Sequence, residues 1–156
     1  MKFGVFDHLD DAGVPLGQLY ADRLRLAEAY DRGGFHAYHL AEHHGTPLGC
    51  APSPSIFLAA LAQRTQRLRF GPMVFLLPFY HPLRLIEEVC MLDQLSGGRL
   101  ELGIGRGVSP FESKNYALDS ARPRRCTTRP FSCCSRASLP MSCPSTASFI
   151  TSRGCP

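Results

Sequence analysis

The sequence has no tryptophan, no apolar run near the roughly 20 residues that a membrane helix needs, and too short an apolar core in Met1–Asp7 for a secretory signal. A membrane-bound or exported chain is therefore not expected, and the reading is a cytoplasmic protein. From residue 121 onward there is no Lys, Asp or Glu. The formal net charge of +4 arises there: removing the six tail arginines from 17 basic residues leaves 11 against 13 acidic ones, a net of −2 for residues 1–120. The main body thus lacks a basic face for nucleic acid. The tail offers six Arg but only Phe131 and Phe149 as aromatics and no recognisable fold, so nucleic acid is not an expected partner. Hydrophobic content of 44% excludes wholesale disorder.

A strand-Gly-x-Gly-x-x-Gly-helix fingerprint is also missing; after the first apolar segment stands Asp7-His8-Leu9-Asp10. That speaks against a dinucleotide-binding sheet. What is present is an alternation. Lys2 to Asp7 reads as a buried strand and Leu16 to Arg32 as a helix with Leu19, Leu24, Ala27 and Tyr30 on its apolar side, ended by Gly33-Gly34. Phe35 to Leu40 reads as a second strand. Ser53 and Pro54 open a helix whose apolar side carries Ile56, Leu58, Ala59, Leu61 and Ala62. Arg67 to Leu77 is a third strand region, Pro82 opens a helix through Ile86, Val89, Cys90 and Leu92 that Gly97-Gly98 stops, and Arg99 to Ile104 is a fourth strand.

The order βα, βα, βα, β predicts an α/β fold with parallel strands and right-handed crossovers. With 156 residues the chain is too short for a complete eight-stranded barrel of about 250. The expected architecture is the first half of a (β/α)8 TIM-type barrel, about four βα units over residues 1–120, followed by an irregular tail over 121–156.

Chemistry can reside at three places. Glu42-His43-His44-Gly45 follows the second strand, at the end where such folds keep their sites, and offers a proton donor or acceptor. The residues alone equally allow one His to pack and the other to be solvated. Adjacent histidines on a strand end point in different directions, and no helical His-Glu-x-x-His spacing exists, so no metal site is expected. Gly103-Ile104-Gly105-Arg106-Gly107 ends the fourth strand; it is either a tight turn with a surface Arg or a close backbone approach to a planar or phosphorylated ligand. Gly71 to Pro78 is an ordinary strand and turn, or the wall of a pocket. Asp7-His8 and Asp10-Asp11 read as a polar loop, and Cys50 and Cys90 as structural thiols.

Met1-Lys2-Phe3-Gly4, Gly34-Phe35, Ala41-Glu42-His43-His44, Leu77-Pro78 with His81-Pro82, Leu92 to Arg99 and Gly103 to Gly107, in this order and spacing, resemble the bacterial luciferase-like monooxygenases. The resemblance covers residues 1 to about 120. It implies a (β/α)8 barrel that uses reduced flavin mononucleotide (FMN) and O2 to oxygenate a small-molecule substrate at the barrel's C-terminal face. It implies that His43 is the acid/base residue, that Met73-Val74 is a non-prolyl cis peptide beneath the flavin ring, that Gly105 passes the ring and that Arg106 approaches the phosphate. A flavin reductase as supplier of reduced flavin and a dimeric full-length protein are implied as well. A deazaflavin-dependent hydride-transfer enzyme on the same barrel is the neighbouring alternative, and a non-catalytic fragment is another.

The tail holds five of the seven cysteines, at 126, 133, 134, 143 and 155, with seven Ser, four Thr and five Pro. Adjacent Cys133 and Cys134 speak against a disulfide framework. Arg, Ser, Pro, Cys and Thr without Lys or acids is what a GC-rich coding region yields in the wrong frame. With each codon started one base earlier, Cys133-Cys134 gives Leu and Phe149-Ile150 gives His or Tyr. The whole of 126–156 can then be read, without a stop, as an amphipathic helix and a hairpin-like strand segment. The expectation is a frameshift near residues 120–125, and a truncated chain that is not a competent monomeric enzyme alone.

Overall fold

The computed structural model describes residues 1–107, 109–117 and 148–151. Strand β1 (Gly4–Asp7) leads into helix α1 (Leu16–Arg32), and β2 (Ala37–Leu40) into α2 (Pro54–Arg64). The third strand region divides into β3 (Arg69–Pro72) and β4 (Phe75–Leu76), with a 3-10 turn (Leu77–Phe79) before α3 (Pro82–Ser96). Next come β5 (Glu101–Gly105), the short α4 (Pro110–Asn115) and β6 (Ser148–Thr151). The expected single strand over Arg67 to Leu77 is thus two strands, with a cis Met73–Val74 peptide between them.

Among the described residues every strand pairing is parallel. One ladder runs β1-β2-β3 and another β4-β5-β6, and a Phe70–Leu100 bridge links them. The strands therefore follow chain order, without the reversal that marks a doubly wound sheet, which is the order of a barrel segment. The tail, expected to be irregular, contributes one described strand, β6, beside β5. Its Ser-Phe-Ile-Thr sequence combines an aromatic and β-branched residues, which suit a pleated backbone. The rest of 121–156 lies outside the described residues.

Helices α2 and α3 cover the sheet. Phe57, Leu58, Leu61 and Ala62 with Leu85, Val89 and Leu92 enclose Tyr38, Leu40, Phe70, Leu100 and Leu102. Leu19 and Ala27 of α1 are buried, with Leu24 and Tyr30 packed against the same core. Ile56, expected on the apolar side of α2, is instead 74% exposed, and Phe57 takes the inward position. Residues 56–62 are apolar throughout, so periodicity cannot select a face there. Ser53 stands at the start of α2 as predicted, but its side chain makes no capping hydrogen bond. Gly97 ends α3 in the left-handed region with φ 64°, where a glycine carries no Cβ penalty.

Two polar side chains clamp the end of the sheet where strands begin. Asp31, at the end of α1, accepts hydrogen bonds from the backbone N–H groups of Gln66 (2.8 Å), Arg67 (2.9 Å) and Leu68 (2.6 Å). Arg99 donates to Thr65 Oγ1 and to the carbonyls of Ala62, Leu68 and Ser96, all within 2.8–2.9 Å. It thereby satisfies late carbonyls of both α2 and α3, the groups a helix C-terminus leaves unpaired.

Asp93 departs from this economy, as do His8 Nδ1 and Thr46 Oγ1, which are also buried without a hydrogen-bond partner. Asp93 is fully buried, and neither carboxylate oxygen has a hydrogen-bond partner. Burial pushes its carboxyl up, with Arg69 pulling the other way. A carboxyl whose folded value is raised costs stability once the pH exceeds its unfolded value. Asp93→Asn is therefore expected to stabilise the fold at pH 7 by about 1 kcal/mol, with the gain shrinking as the pH falls towards 4. Urea unfolding of both proteins at the two pH values measures it; a destabilised variant at pH 7 would contradict this account.

Candidate active site

The strand ends on the other side of the sheet gather the reactive groups. His8 follows β1, Glu42 and His43 follow β2, Met73-Val74 follow β3, and Arg106 follows β5. In parallel α/β folds the C-terminal strand ends are where loops from neighbouring units meet, so residues far apart in the chain share one edge of the sheet.

His43 is the best-defined of them. Its side chain is 28% exposed, and its Nδ1 lies 3.1 Å from Glu112 Oε1 on α4, a carboxylate that is 4% exposed. The same oxygen accepts the His44 backbone N–H at 3.0 Å. The His8 ring stacks on the His43 ring, with centroids 5.4 Å apart and an interplanar angle of 12°. Gly49 packs tightly beneath: a Cβ there would stand 2.6 Å from His43 Cβ. His8, read from the sequence as part of a polar loop, is thus a wall of the His43 site; β1 pairs directly with β2, Asp7 opposite Leu40, so the segments leaving both strands start side by side.

His44 faces a different set of partners, as expected for adjacent residues. Its Nε2 lies 2.7 Å from Glu42 Oε1, and its Nδ1 is 2.8 Å from the Tyr116 hydroxyl. Glu42 Oε2 also accepts the Leu76 N–H at 3.1 Å. The Glu42 carboxylate is wholly buried and so is held by an imidazole and a backbone donor, a well-satisfied group of structural character. Burial, and secondarily the nearby Glu42 charge, pushes the Tyr80 phenol far above its ordinary value. Burial likewise raises Tyr116. Both phenols stay protonated at neutral pH. Of the paired histidines, His44 takes the packed role and His43 the open one.

The ends of β3 and β5 add apolar and glycine positions at the same edge of the sheet. Met73 and Val74 are half-buried, and Val74 Cγ1 lies against Gly103, 3.3 Å from where a Cβ would stand. Gly105 is half-buried, Arg106 is exposed, and Gly107 adopts φ 71° beside Leu76. No group of three or more His, Cys, Asp or Glu suited to a metal ion occurs among the described residues.

A family profile described as luciferase-like monooxygenase matches residues 1–128 of this chain. This chain belongs to the luciferase-like monooxygenases. The chain is 39% identical over 114 residues to the oxygenase component of the flavin-dependent trigonelline monooxygenase of Acinetobacter baylyi, a match covering 72% of this chain and 32% of that one. An uncharacterized protein of Sinorhizobium fredii, y4wF, is 60% identical over 119 residues, covering 76% of this chain and 35% of the other. Among solved structures, the oxygenating constituent of 3,6-diketocamphane monooxygenase of Pseudomonas putida, in complex with FMN, superposes with a TM-score of 0.73. It is 28% identical and covers 80% of this chain and 35% of that one. The chain thus spans about a third of the length of these relatives.

As a luciferase-like chain, its predicted site residues His43, Met73, Val74, Gly105 and Arg106 all stand at C-terminal strand ends. The cis geometry that the resemblance implied at Met73–Val74 is present. Two residues of the cluster were not singled out from the sequence. Glu112 sits in Ser109-Pro110-Phe111-Glu112, which has the spacing of a helix capping box. Ser109 does cap α4, accepting the Glu112 N–H at 3.3 Å, but the Glu112 carboxylate turns to His43 and His44. His8 gave no signal of its own beyond its place after an apolar strand. No helix among the described residues is long and apolar enough to cross a membrane.

Proposed function

We propose that this chain carries the first half of a flavin site of a monooxygenase, in which His43 handles the proton and Arg106 meets the cofactor phosphate. The observation that carries the reading is that one part-exposed imidazole, one exposed arginine and two half-buried apolar residues stand at the C-terminal ends of neighbouring parallel strands. These residues fit FMN. A planar ring needs a flat apolar bed, here Met73 and Val74 with the side-chain-free Gly105 beside them, and a phosphate favours the forked donors of Arg106. When bound and reduced, FMN would supply the electrons for activating O2.

The chain's own contribution is then to bind, orient and exchange a proton. His43 Nδ1 is occupied by Glu112, so the Nε2 edge is the one that can give or take a proton at the open face. The substrate is a small molecule, and a flavin reductase is a suitable supplier of reduced flavin. The cytoplasm suits both.

Completion of the barrel in a longer reading of the gene is part of the same proposal. The abrupt loss of Lys, Asp and Glu after residue 120 supports a frame change there. Sequencing the coding DNA tests it: codons incompatible with the shifted peptide reject the frame change.

The cofactor test uses the frame-restored protein. Substrate-dependent O2 consumption with reduced FMN is the expected result; hydride transfer with reduced deazaflavin and no O2 uptake would replace it with the deazaflavin alternative. Arg106→Ala is expected to weaken FMN about tenfold or more, the worth of a charge-assisted contact, while leaving riboflavin affinity unchanged. Fluorescence titration with both flavins measures this. Equal weakening of FMN and riboflavin would remove Arg106 from the phosphate.

A further inference from the structure

We propose that Glu112 is a positioning residue for His43, fixing the imidazole in the Nδ1–H tautomer so that Nε2 is the unprotonated, reactive edge. The inference rests on the proton-handling role given to His43 above. Three observations carry it. The Glu112 carboxylate is buried on α4 and directs one oxygen at both His43 Nδ1 (3.1 Å) and the His44 backbone N–H (3.0 Å). A buried carboxylate is acceptor-only when ionised, so it accepts a proton-bearing Nδ1 and disfavours the bare nitrogen.

The ring has little freedom to escape this arrangement. His8 stacks on one face at 5.4 Å, and Gly49 leaves room for the loop to close on His43 Cβ. Finally, Glu112 forgoes the local hydrogen bond that its capping-box spacing makes available: Ser109 Oγ accepts the Glu112 N–H, but the carboxylate reaches some 70 positions back along the chain to β2's end. A carboxylate that orients an imidazole and selects its tautomer is the arrangement by which second partners tune histidines generally.

The test reads the tautomer directly, in the purified chain of 156 residues, by long-range proton–nitrogen NMR of 15N-histidine-labelled protein, with the His43 signals assigned by their loss in His43→Gln. In the neutral ring, wild type is expected to show Nδ1 protonated and Nε2 bare. Glu112→Gln, which retains a carbonyl acceptor, is expected to preserve that pattern, and Glu112→Ala to lose it. A wild-type His43 with Nε2 protonated overturns the proposal, as does an unchanged pattern in a folded Glu112→Ala protein. If Glu112→Ala does not fold, the wild-type tautomer and its retention in Glu112→Gln decide. Failure of FMN to bind the frame-restored protein, with the Nδ1–H pattern intact, would remove the flavin reading and leave the positioning of His43 standing.

Discussion

Asp31→Ala is expected to cost the fold about 3 kcal/mol, because the N–H of the buried Leu68 loses its acceptor and those of the exposed Gln66 and Arg67 exchange a charged acceptor for water, with an unmet buried donor costing about 1–3 kcal/mol. Those donors belong to Gln66, Arg67 and Leu68, the run that delivers the chain into β3. Asp31 itself is buried. Its titration gives a second signature. Burial opposes the charge, but the three backbone donors outweigh it and the carboxyl is held below its ordinary value. A depressed carboxyl contributes stability above its unfolded value and loses it as the pH falls through the folded one. The stabilising share of Asp31 is therefore complete above about pH 5 and is lost progressively below about pH 4. Urea unfolding of wild type and Asp31→Ala across that range is expected to show the two curves converging in acid. A loss below 1 kcal/mol at pH 7, or a gap independent of pH, would show that the N–H groups find other acceptors.

The second large effect is steric. Strands β3 and β5 approach so closely that a Cβ on Gly71 would lie 1.7 Å from the Glu101 carbonyl oxygen, and one on Gly103 would lie 2.3 Å from the Pro72 carbonyl oxygen. The obstacle in both cases is backbone, which no rotamer change relieves. Gly71→Ala is expected to destabilise by about 3 kcal/mol or to prevent folding. Gly17→Ala is the matched control. It lies in α1 with nothing within 4 Å of its added Cβ, and is expected to stabilise by about 0.5–1 kcal/mol. Denaturation midpoints measure both. Similar midpoints for Gly71→Ala and wild type would mean that the β3–β5 approach is looser than described.

These two sites lie in the frame that carries the chemistry. Asp31 and Arg99 tie the N-terminal strand ends, while His8, His43, Met73 and Arg106 occupy the C-terminal ends. Substitutions at the first set should change stability, and those at the second the ligand or the proton. Separate denaturation and binding measurements can tell the two apart.

The helices were largely legible in advance. The bounds of α1 and α3 follow from apolar spacing, Pro82 at a first turn and the glycines after each, and the structure has them at Leu16–Arg32 and Pro82–Ser96. The inward face of α2 was not, since a run of consecutive apolar residues carries no phase. The break between β3 and β4 has no signal in hydrophobic pattern; the family resemblance implied the cis Met73–Val74 peptide but not the division of the strand. Glu112 stayed hidden because its local spacing already had a sufficient explanation in helix capping.

The sequence by itself determined the alternation of strands and helices, the parallel α/β class, the family and the candidacy of His43 and Arg106, because short-range periodicity, turn residues and motif order are local properties. Only the tertiary structure decided which histidine of the pair is open, that His8 stacks against it, that Glu112 holds it and that Gly71 and Gly103 admit two backbones side by side. Each of those depends on segments from 30 to 69 positions apart meeting at a common strand end or strand crossing, and no pattern within a single segment specifies its neighbour in space.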